Sequence, residues 1–318
     1  MPAYNAVATL DNAVASVVSQ KAEDWELVVA DDGSTDGTLE IAQSWAAREP
    51  RIRVITHPDR GNRGRPATRN LTVAAARGAL VAFLDADDVL LPHALAVHID
   101  TLARHASASV SYGRATVLGG PDDGLLLGRG LPRVAVEALT QLARFNVLVT
   151  SATAVRREAL GEEPFAAEMT LAQDWACWLE LARASRFVFV PKVLSRYRVH
   201  EGSGTTGMVR SGNRPEFELL QARYLWRSLR RGTPRERRAM RAGLRFRATS
   251  CLLSGVASLR RGRVRDGVHW LSCAVRVARL PGVAFTAALG VVPEQVRIWR
   301  GLDPPLSLGL PGAAEEPA

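Results

Sequence analysis

The chain has 318 residues and is 47% hydrophobic, enough to bury a full core as one large domain or as a domain with an appendage, and the second arrangement is expected. Its three cysteines, Cys177, Cys251 and Cys273, are an odd number, lie far apart and show no CxxC spacing, which argues against a disulfide framework or a zinc site and fits a reducing cytoplasm. The net charge of +9 is unevenly spread: residues 1–204 carry 21 Lys and Arg against 24 Asp and Glu, whereas residues 205–318 carry 20 against 8.

The opening Met1-Pro2-Ala3-Tyr4-Asn5 has neither a basic segment nor an apolar core, so no signal peptide is read there. Through the first hundred residues apolar runs alternate with amphipathic helical patterns, the signature of a parallel sheet covered by helices. Leu10 to Val18 read as a helix and Trp25 to Ala30 as a buried strand. Thr38 to Arg48 form a helix that Asp36-Gly37-Thr38 can cap, followed by a strand from Ile52 to Thr56. Thr68 to Arg77 make a further helix closed by Gly78, and Leu80 to Leu84 a strand apolar on both faces. Gly119 to Gly124 is a turn-rich break, and Leu125 to Val136 look irregular.

Leu139 to Phe145 and Thr170 to Ala184 are then helical, and Phe187 to Val190 and Val193 to Val199 are short strands. Residues 201–214, rich in Gly, Ser and Thr, read as a flexible loop able to order over a ligand as lids do. From Glu216 to about Leu280 the pattern is helical with breaks near Gly232 and Gly262, and the proline-bearing tail after Leu302 is expected to be disordered. The expected organisation is therefore a domain at 1–204, a basic helical extension at 205–301 and a tail at 302–318. The longest uncharged apolar stretch, Leu280 to Pro293, has 14 residues. A membrane span needs roughly 20, so integral insertion is not expected.

Two acidic clusters follow strands: Asp31-Asp32, and Asp85-Ala86-Asp87-Asp88. In open α/β sheets ligands bind outside the carboxyl ends of the strands, so both clusters should face one crevice. Three carboxylates crowded at a strand end repel one another unless a cation neutralises them, and hard divalent ions favour such oxygen ligands. A divalent metal is preferred here over a solvated acidic turn. In the segment Asp31 to Thr38 a carboxylate can accept hydrogen bonds from a base N–H or a ribose hydroxyl; the plain alternative is a well-capped strand-to-helix turn. The chain has neither a P-loop nor a GxGxxG motif there.

Four segments together, Met1-Pro2-Ala3-Tyr4-Asn5, DDGSTDGT at Asp31 to Thr38, RPATRN at Arg65 to Asn70 and ARGALVAFLDADD at Ala76 to Asp88, resemble the family-2 glycosyltransferases of GT-A fold. The resemblance covers roughly the first two hundred residues and leaves the basic C-terminal segment outside. It implies an α/β fold with a Rossmann-like, mostly parallel sheet flanked by helices, to which a helical basic extension is appended. It also implies residue roles. Ala3 and Tyr4 would line the nucleotide pocket, Asp31 and Asp32 would face the base, and Arg69 would contact the nucleotide. Asp85 would meet the ribose or metal-bound water, and Asp87 would ligate Mg or Mn bridging the diphosphate.

Gln173-Asp174-Trp175 resembles the family's Glu-Asp-Trp motif, which would make Asp174 the catalytic base, with Gln173 departing from the pattern. Chemically a positioned carboxylate suits that task, because an acceptor hydroxyl is a poor nucleophile until its proton is taken. The plain alternative for Asp174 is an acid favoured by a helix N-terminal dipole. His200, within Tyr197 to Ser203, matches the family segment that reaches back to the diphosphate or metal, and so stands as a further metal ligand. Arg196 and Arg198 are placed to pair with phosphate. Trp175 and Trp178 either pack as core or stack on an acceptor sugar. The Gln-x-x-Arg-Trp signature of processive enzymes is absent, which favours transfer of a single sugar.

The implied reaction is inverting transfer from a nucleotide-diphosphate sugar, by default a UDP-sugar, to a hydroxyl of a glycan, lipid-linked or other acceptor. The setting would be cell-envelope or exopolysaccharide synthesis, cytoplasmic or peripheral on the inner face of the membrane. A sugar nucleotidyltransferase would call for a Gly-rich loop after its first strand, and residues 1–20 hold no glycine. A non-catalytic rival is a module whose basic helices bind an anionic surface; membrane ranks above nucleic acid because no aromatic-basic alternation is present. Specificity is expected to sit between Ser111 and Glu168. Finally, the family places an apolar strand of about five residues before Pro-x-Tyr-Asn. Lacking most of it, the sheet would leave backbone groups unpaired, and the chain as given is expected to be unstable or inactive.

Overall fold

Five consecutive buried residues, Leu27–Asp31, form β2, the central strand of a three-stranded parallel sheet in the order β1-β2-β3. Its partners are β1 (Pro2–Ala3) and β3 (Ile52–Thr56), with Ala3 opposite Asp31 and Asp31 opposite Thr56. This is a computed structural model describing residues 1–120, 122–127, 138–144, 146, 148–200 and 214–280. The Met1 ammonium donates to Val28 O at 2.8 Å. Burial pushes that amine down to about 5, against the raising effect of the Asp85 charge. A strand covered on both faces reads as an unbroken apolar run, which is why β2 was legible.

Around this sheet lie α1 (Leu10–Val18), α2 (Thr38–Arg48) and α3 (Arg65–Ala75). One apolar core joins Leu10, Val14 and Val17 of α1 to Leu27 and Val29 of β2, Ala42 of α2 and Ile52 of β3. α1, α2 and β3 begin and end where the sequence pattern put them. α3 starts three residues earlier than expected, because Pro66 sits in its first turn, where a missing N–H leaves nothing unsatisfied.

A second, five-stranded sheet has the order β4-β7-β6-β8-β5. Its strands are β4 (Leu80–Ala82), β5 (Val89–Leu90), β6 (Ala108–Leu118), β7 (Thr153–Arg156) and β8 (Arg186–Arg198), and α4 (Ala94–Arg104) and α6 (Gln173–Ala184) accompany them. The expectation for Leu80 to Leu84 is corrected in detail: the strand is three residues long, half-buried to exposed, and pairs antiparallel with β7. Phe83 and Leu84 lie beyond the strand and are buried, Phe83 N still donating to Thr153 O at 3.2 Å. The two short strands expected around Pro191 are one, β8. Its pairing with β6 shifts register between Tyr112 and Arg114, so Pro191, which cannot donate, falls where no ladder bond is required. α6 begins at Gln173, not Thr170, because Ala172 before it takes a left-handed conformation at φ 57°.

The chain divides into two compact units. The first holds both sheets; the second contains Glu137–Val147 and everything from His200 onward. Its described helices are α5 (Ala138–Arg144), α7 (Arg214–Leu229), α8 (Pro234–Arg260) and α9 (Val264–Ala278). A full capping box, Thr233 with Glu236, starts α8. Close helix approach follows from small residues: a Cβ on Gly243 would stand 2.4 Å from Ala143 O, and one on Gly267 2.5 Å from Leu259 Cγ. Cysteines far apart in sequence meet here, Cys251 Sγ lying 3.2 Å from Cys273 Sγ as two buried free thiols. Among the described residues no helix is long and apolar enough to cross a membrane. The expected loop at 201–213, most of the irregular stretch at 125–136, the apolar residues 281–293 and the tail lie outside the described residues.

Candidate active site

The acidic run turns sharply after Leu84, with Asp88 N donating to Asp85 O at 3.1 Å. Asp85, Asp87 and Asp88 each bring a carboxylate oxygen within 4.8 Å of the others. The three groups are not equivalent. Arg69 on α3, only 2% exposed, donates from Nη2 to Asp85 Oδ1 at 2.5 Å. Burial alone would raise the Asp85 carboxyl, but the charges of Arg69 and Arg65 outweigh it and hold the group below the usual carboxylate range.

Asp88 goes the other way. Burial first, then the charges of Asp87 and Asp85, push its carboxyl well above the usual range, against the hydrogen bonds it receives from Ser151 Oγ and Arg198 N. Its oxygens are therefore committed to protein donors. Arg198 also donates from Nε to Asp87 O at 2.8 Å, tying β8 to the run. Asp85, kept ionised, and Asp87 fit a hard divalent ion, and Asp88 fits an anchor.

Asp174 occupies the first turn of α6 and accepts from Thr150 Oγ1 at 3.2 Å. The neighbouring Ser151 holds Asp88. A short 3₁₀ turn, Thr150–Ala152, thus grips Asp174 with its first residue and the acidic run with its second. The Arg69 guanidinium feels both carboxylates: burial would lower it, and the charges of Asp85 and then Asp174 raise it on balance. Arg69 Nη1 is buried with no hydrogen-bond partner, and the Phe165 ring lies 5.4 Å from its Cζ. Trp175 and Trp178 are fully buried, with Phe83 edge-on to Trp178 at 5.5 Å, so both are core and neither stacks on an acceptor.

At the end of β2 the two aspartates divide their work. Asp32 accepts from Arg63 N at 2.7 Å and Gly64 N at 3.0 Å, and His57 Nε2 lies 3.5 Å from it. It pins the loop that leads into α3. Asp31 Oδ2 accepts from Gly33 N and Ser34 N, both at 3.1 Å, while its buried Oδ1 has no partner. Gly33 is required twice over: its φ is +74°, and a Cβ would stand 2.8 Å from Asn62 N.

Of the remaining expected residues, Ala3 has its side chain in the core while its carbonyl accepts from Asp32 N at 2.8 Å; Tyr4 is 50% exposed. Arg196 pairs with Asp123 at 2.6 Å. His200 opens the last segment of the second unit. Thr150 and Ser151 were missed from sequence, since hydroxyls in a Thr-Ser-Ala-Thr string carry no distinguishing signal before the fold places them.

The chain was compared with known proteins. A family model, Glycosyl transferase family 2, matches residues 1–162. TuaG of Bacillus subtilis, named for teichuronic acid biosynthesis, is 30% identical over 205 residues, 64% of this chain and 78% of that protein. The chondroitin synthase of Escherichia coli is 29% identical over 211 residues, 65% of this chain but only 29% of that protein. Also in Escherichia coli, the glucosyltransferase WfgD, named for transfer from UDP-Glc to a GlcNAc-diphosphoundecaprenol, is 26% identical over 64% of this chain and 77% of that protein. Two solved structures share the fold: Staphylococcus aureus TarS 1–349 with UDP, with TM-score 0.53 over 85% of this chain and 88% of that one, at 18% identity, and a Pyrobaculum calidifontis mannosyltransferase with GDP-Man and Mn²⁺, with TM-score 0.56 over 96% and 83%, at 19% identity. On the extent of the family match and the likeness to TuaG, this chain belongs to glycosyltransferase family 2.

Proposed function

We propose that the protein transfers one sugar, with inversion, from a nucleotide-diphosphate donor to a hydroxyl of a cell-envelope or extracellular glycan acceptor. One observation carries this reading: buried Arg69 pairs with Asp85 of the acidic run and also feels the charge of Asp174, so a donor-side and an acceptor-side carboxylate act on one cation. Asp174 takes the acceptor proton as the new bond forms, and Thr150 holds its carboxylate in place. Attack on the face opposite the leaving diphosphate inverts the anomeric centre. Asp31, through its unpartnered Oδ1, accepts from a base N–H, while Asp32 keeps the adjoining loop in register. Ala3 and Tyr4 border the same nucleotide site.

Asp85 and Asp87 would hold a divalent ion, Mg or Mn. Such an ion, when bound, neutralises charge on the departing diphosphate. Arg69 keeps Asp85 ionised for that purpose. A UDP-sugar donor is supported by the UDP and UDP-GlcNAc complexes of TarS, with GDP-Man of the archaeal neighbour as the counterexample to test. The diphosphoundecaprenol in the name of WfgD supports a lipid-borne acceptor. The reading places residues 1–204 as the catalytic domain, working on the cytoplasmic side, with the basic residues beyond it in contact with anionic membrane. The test is a screen of nucleotide-sugar hydrolysis with Mg or Mn. Asp87→Ala and Asp174→Asn should each lower turnover by about a hundredfold or more; hydrolysis unaffected by Asp87→Ala removes the metal assignment.

A further inference from the structure

Three valines of α9, Val264, Val268 and Val275, are 62%, 58% and 41% exposed. Steps of four and seven residues return to one side of a helix, so the three form an apolar stripe. It is separate from the face on which α9 buries Gly267, Cys273, Ala274 and Val277. A surface helix of a soluble unit needs one apolar face, and α9 carries a second.

The stripe begins at the turn joining α8 to α9. Gly255 and Gly267 let the helices touch there, each with a leucine of the other helix over it, Leu271 and Leu259. Val256 and Leu259 near the end of α8 are also exposed. Arg260, Arg261, Arg263 and Arg265 surround the turn, all exposed, and no acidic side chain pairs with any of them among the described residues. The tip therefore carries exposed aliphatic side chains with four guanidinium groups against one carboxylate, Asp266.

We infer that this hairpin tip docks the protein on an anionic lipid surface, the valines entering the boundary between headgroups and acyl chains and the arginines meeting lipid phosphates. The inference rests on the membrane contact proposed above and names its surface. An apolar stripe flanked by Arg is the composition of helices that lie in the interface plane. Charge selects this occupant over a second copy of the chain, since residues 205–318 hold 20 basic against 8 acidic residues and two such surfaces repel. Chemistry selects it over nucleic acid, because valine and leucine offer no π face on which a base can stack.

The test uses the full chain and vesicles of phosphatidylglycerol with phosphatidylcholine, or of phosphatidylcholine alone, in a sedimentation assay at low and high salt. The wild type should bind the anionic vesicles, lose most of that binding at high salt and keep a weaker, salt-resistant part. Arg261→Gln/Arg263→Gln/Arg265→Gln should weaken binding about a hundredfold at low salt, from about fivefold per basic group. Val264→Glu/Val268→Glu should abolish the salt-resistant part, while unchanged melting and far-ultraviolet circular dichroism show that both variants fold. Wild-type binding that both variants retain overturns the assignment to the tip and leaves membrane contact to another surface. No wild-type binding to either vesicle removes the membrane reading itself. A dimer seen by light scattering and dissociated by the valine variant gives the stripe to a second copy and equally overturns the inference.

Discussion

Asp85 and Asp88, three residues apart, have their carboxyls driven in opposite directions, and that difference predicts unequal responses to amide substitution. Asp88→Asn keeps an acceptor for Arg198 N and gains a donor for Ser151, while removing a charge the site disfavours. Its stability, read by urea denaturation, should match the wild type within about 1 kcal/mol or exceed it. Asp88→Ala leaves Ser151 and Arg198 N without their partner and should cost about 1–3 kcal/mol. His98 makes a second residue-scale prediction. Burial pushes it down to about 4, with Nδ1 3.0 Å from Ser111 Oγ. The unfolded chain takes up this proton near pH 6.5 while the folded one refuses it until about 4, so stability present above pH 6.5 is lost as pH falls between the two. Denaturation at pH 7 and pH 4.5 should show the wild type losing roughly 2–3 kcal/mol more than His98→Gln; equal losses would contradict a neutral buried imidazole. Sequence made the acids visible as acids. The resemblance gave ligand roles to Asp85 and Asp87, but what Asp88 anchors was hidden, because it depends on Ser151 and Arg198, which arrive from 63 and 110 residues away.

At the scale of elements, the devices that matter are short and made of small residues. The turn Thr150–Ala152 couples the acidic run to α6, and Thr150→Val should lower kcat without raising the KM for the donor, since the lost bond orients Asp174 on the acceptor side. In the second unit Gly243→Ala tests close packing. An exposed helix interior ordinarily gains up to about 1 kcal/mol from this change, but here the new methyl meets a backbone carbonyl at 2.4 Å, so urea denaturation should show a loss of about 2 kcal/mol or more. Elements with clean periodicity were legible from sequence: α1, α2, β2 and β3 depend on local apolar spacing. β6 was not, because Ser111, Gly113 and Arg114 interrupt its apolar run and its pairing with β8 is what makes it a strand. The pairing of β4 was hidden for a similar reason, as nothing local marks β7 as its partner.

For the whole molecule, the proposed reading gives the acidic first two hundred residues and the basic remainder different tasks, donor and acceptor chemistry in one and surface attachment in the other. Asp31-Asp32 and Asp85 were readable within four motifs in order, and Asp174 from a motif of its own, while the pairing of Arg69 with Asp85 needed the fold. The account stands on Asp85 and Asp87 holding a divalent ion against the diphosphate of a bound nucleotide. Titration calorimetry of UDP and GDP, with Mn²⁺ and with chelator, on the wild type and Asp87→Ala tests this without requiring the acceptor. At least one nucleotide should bind the wild type only when Mn²⁺ is present, and Asp87→Ala should lose this metal-dependent binding. Affinity that is the same with chelator, or the same in Asp87→Ala, would contradict it.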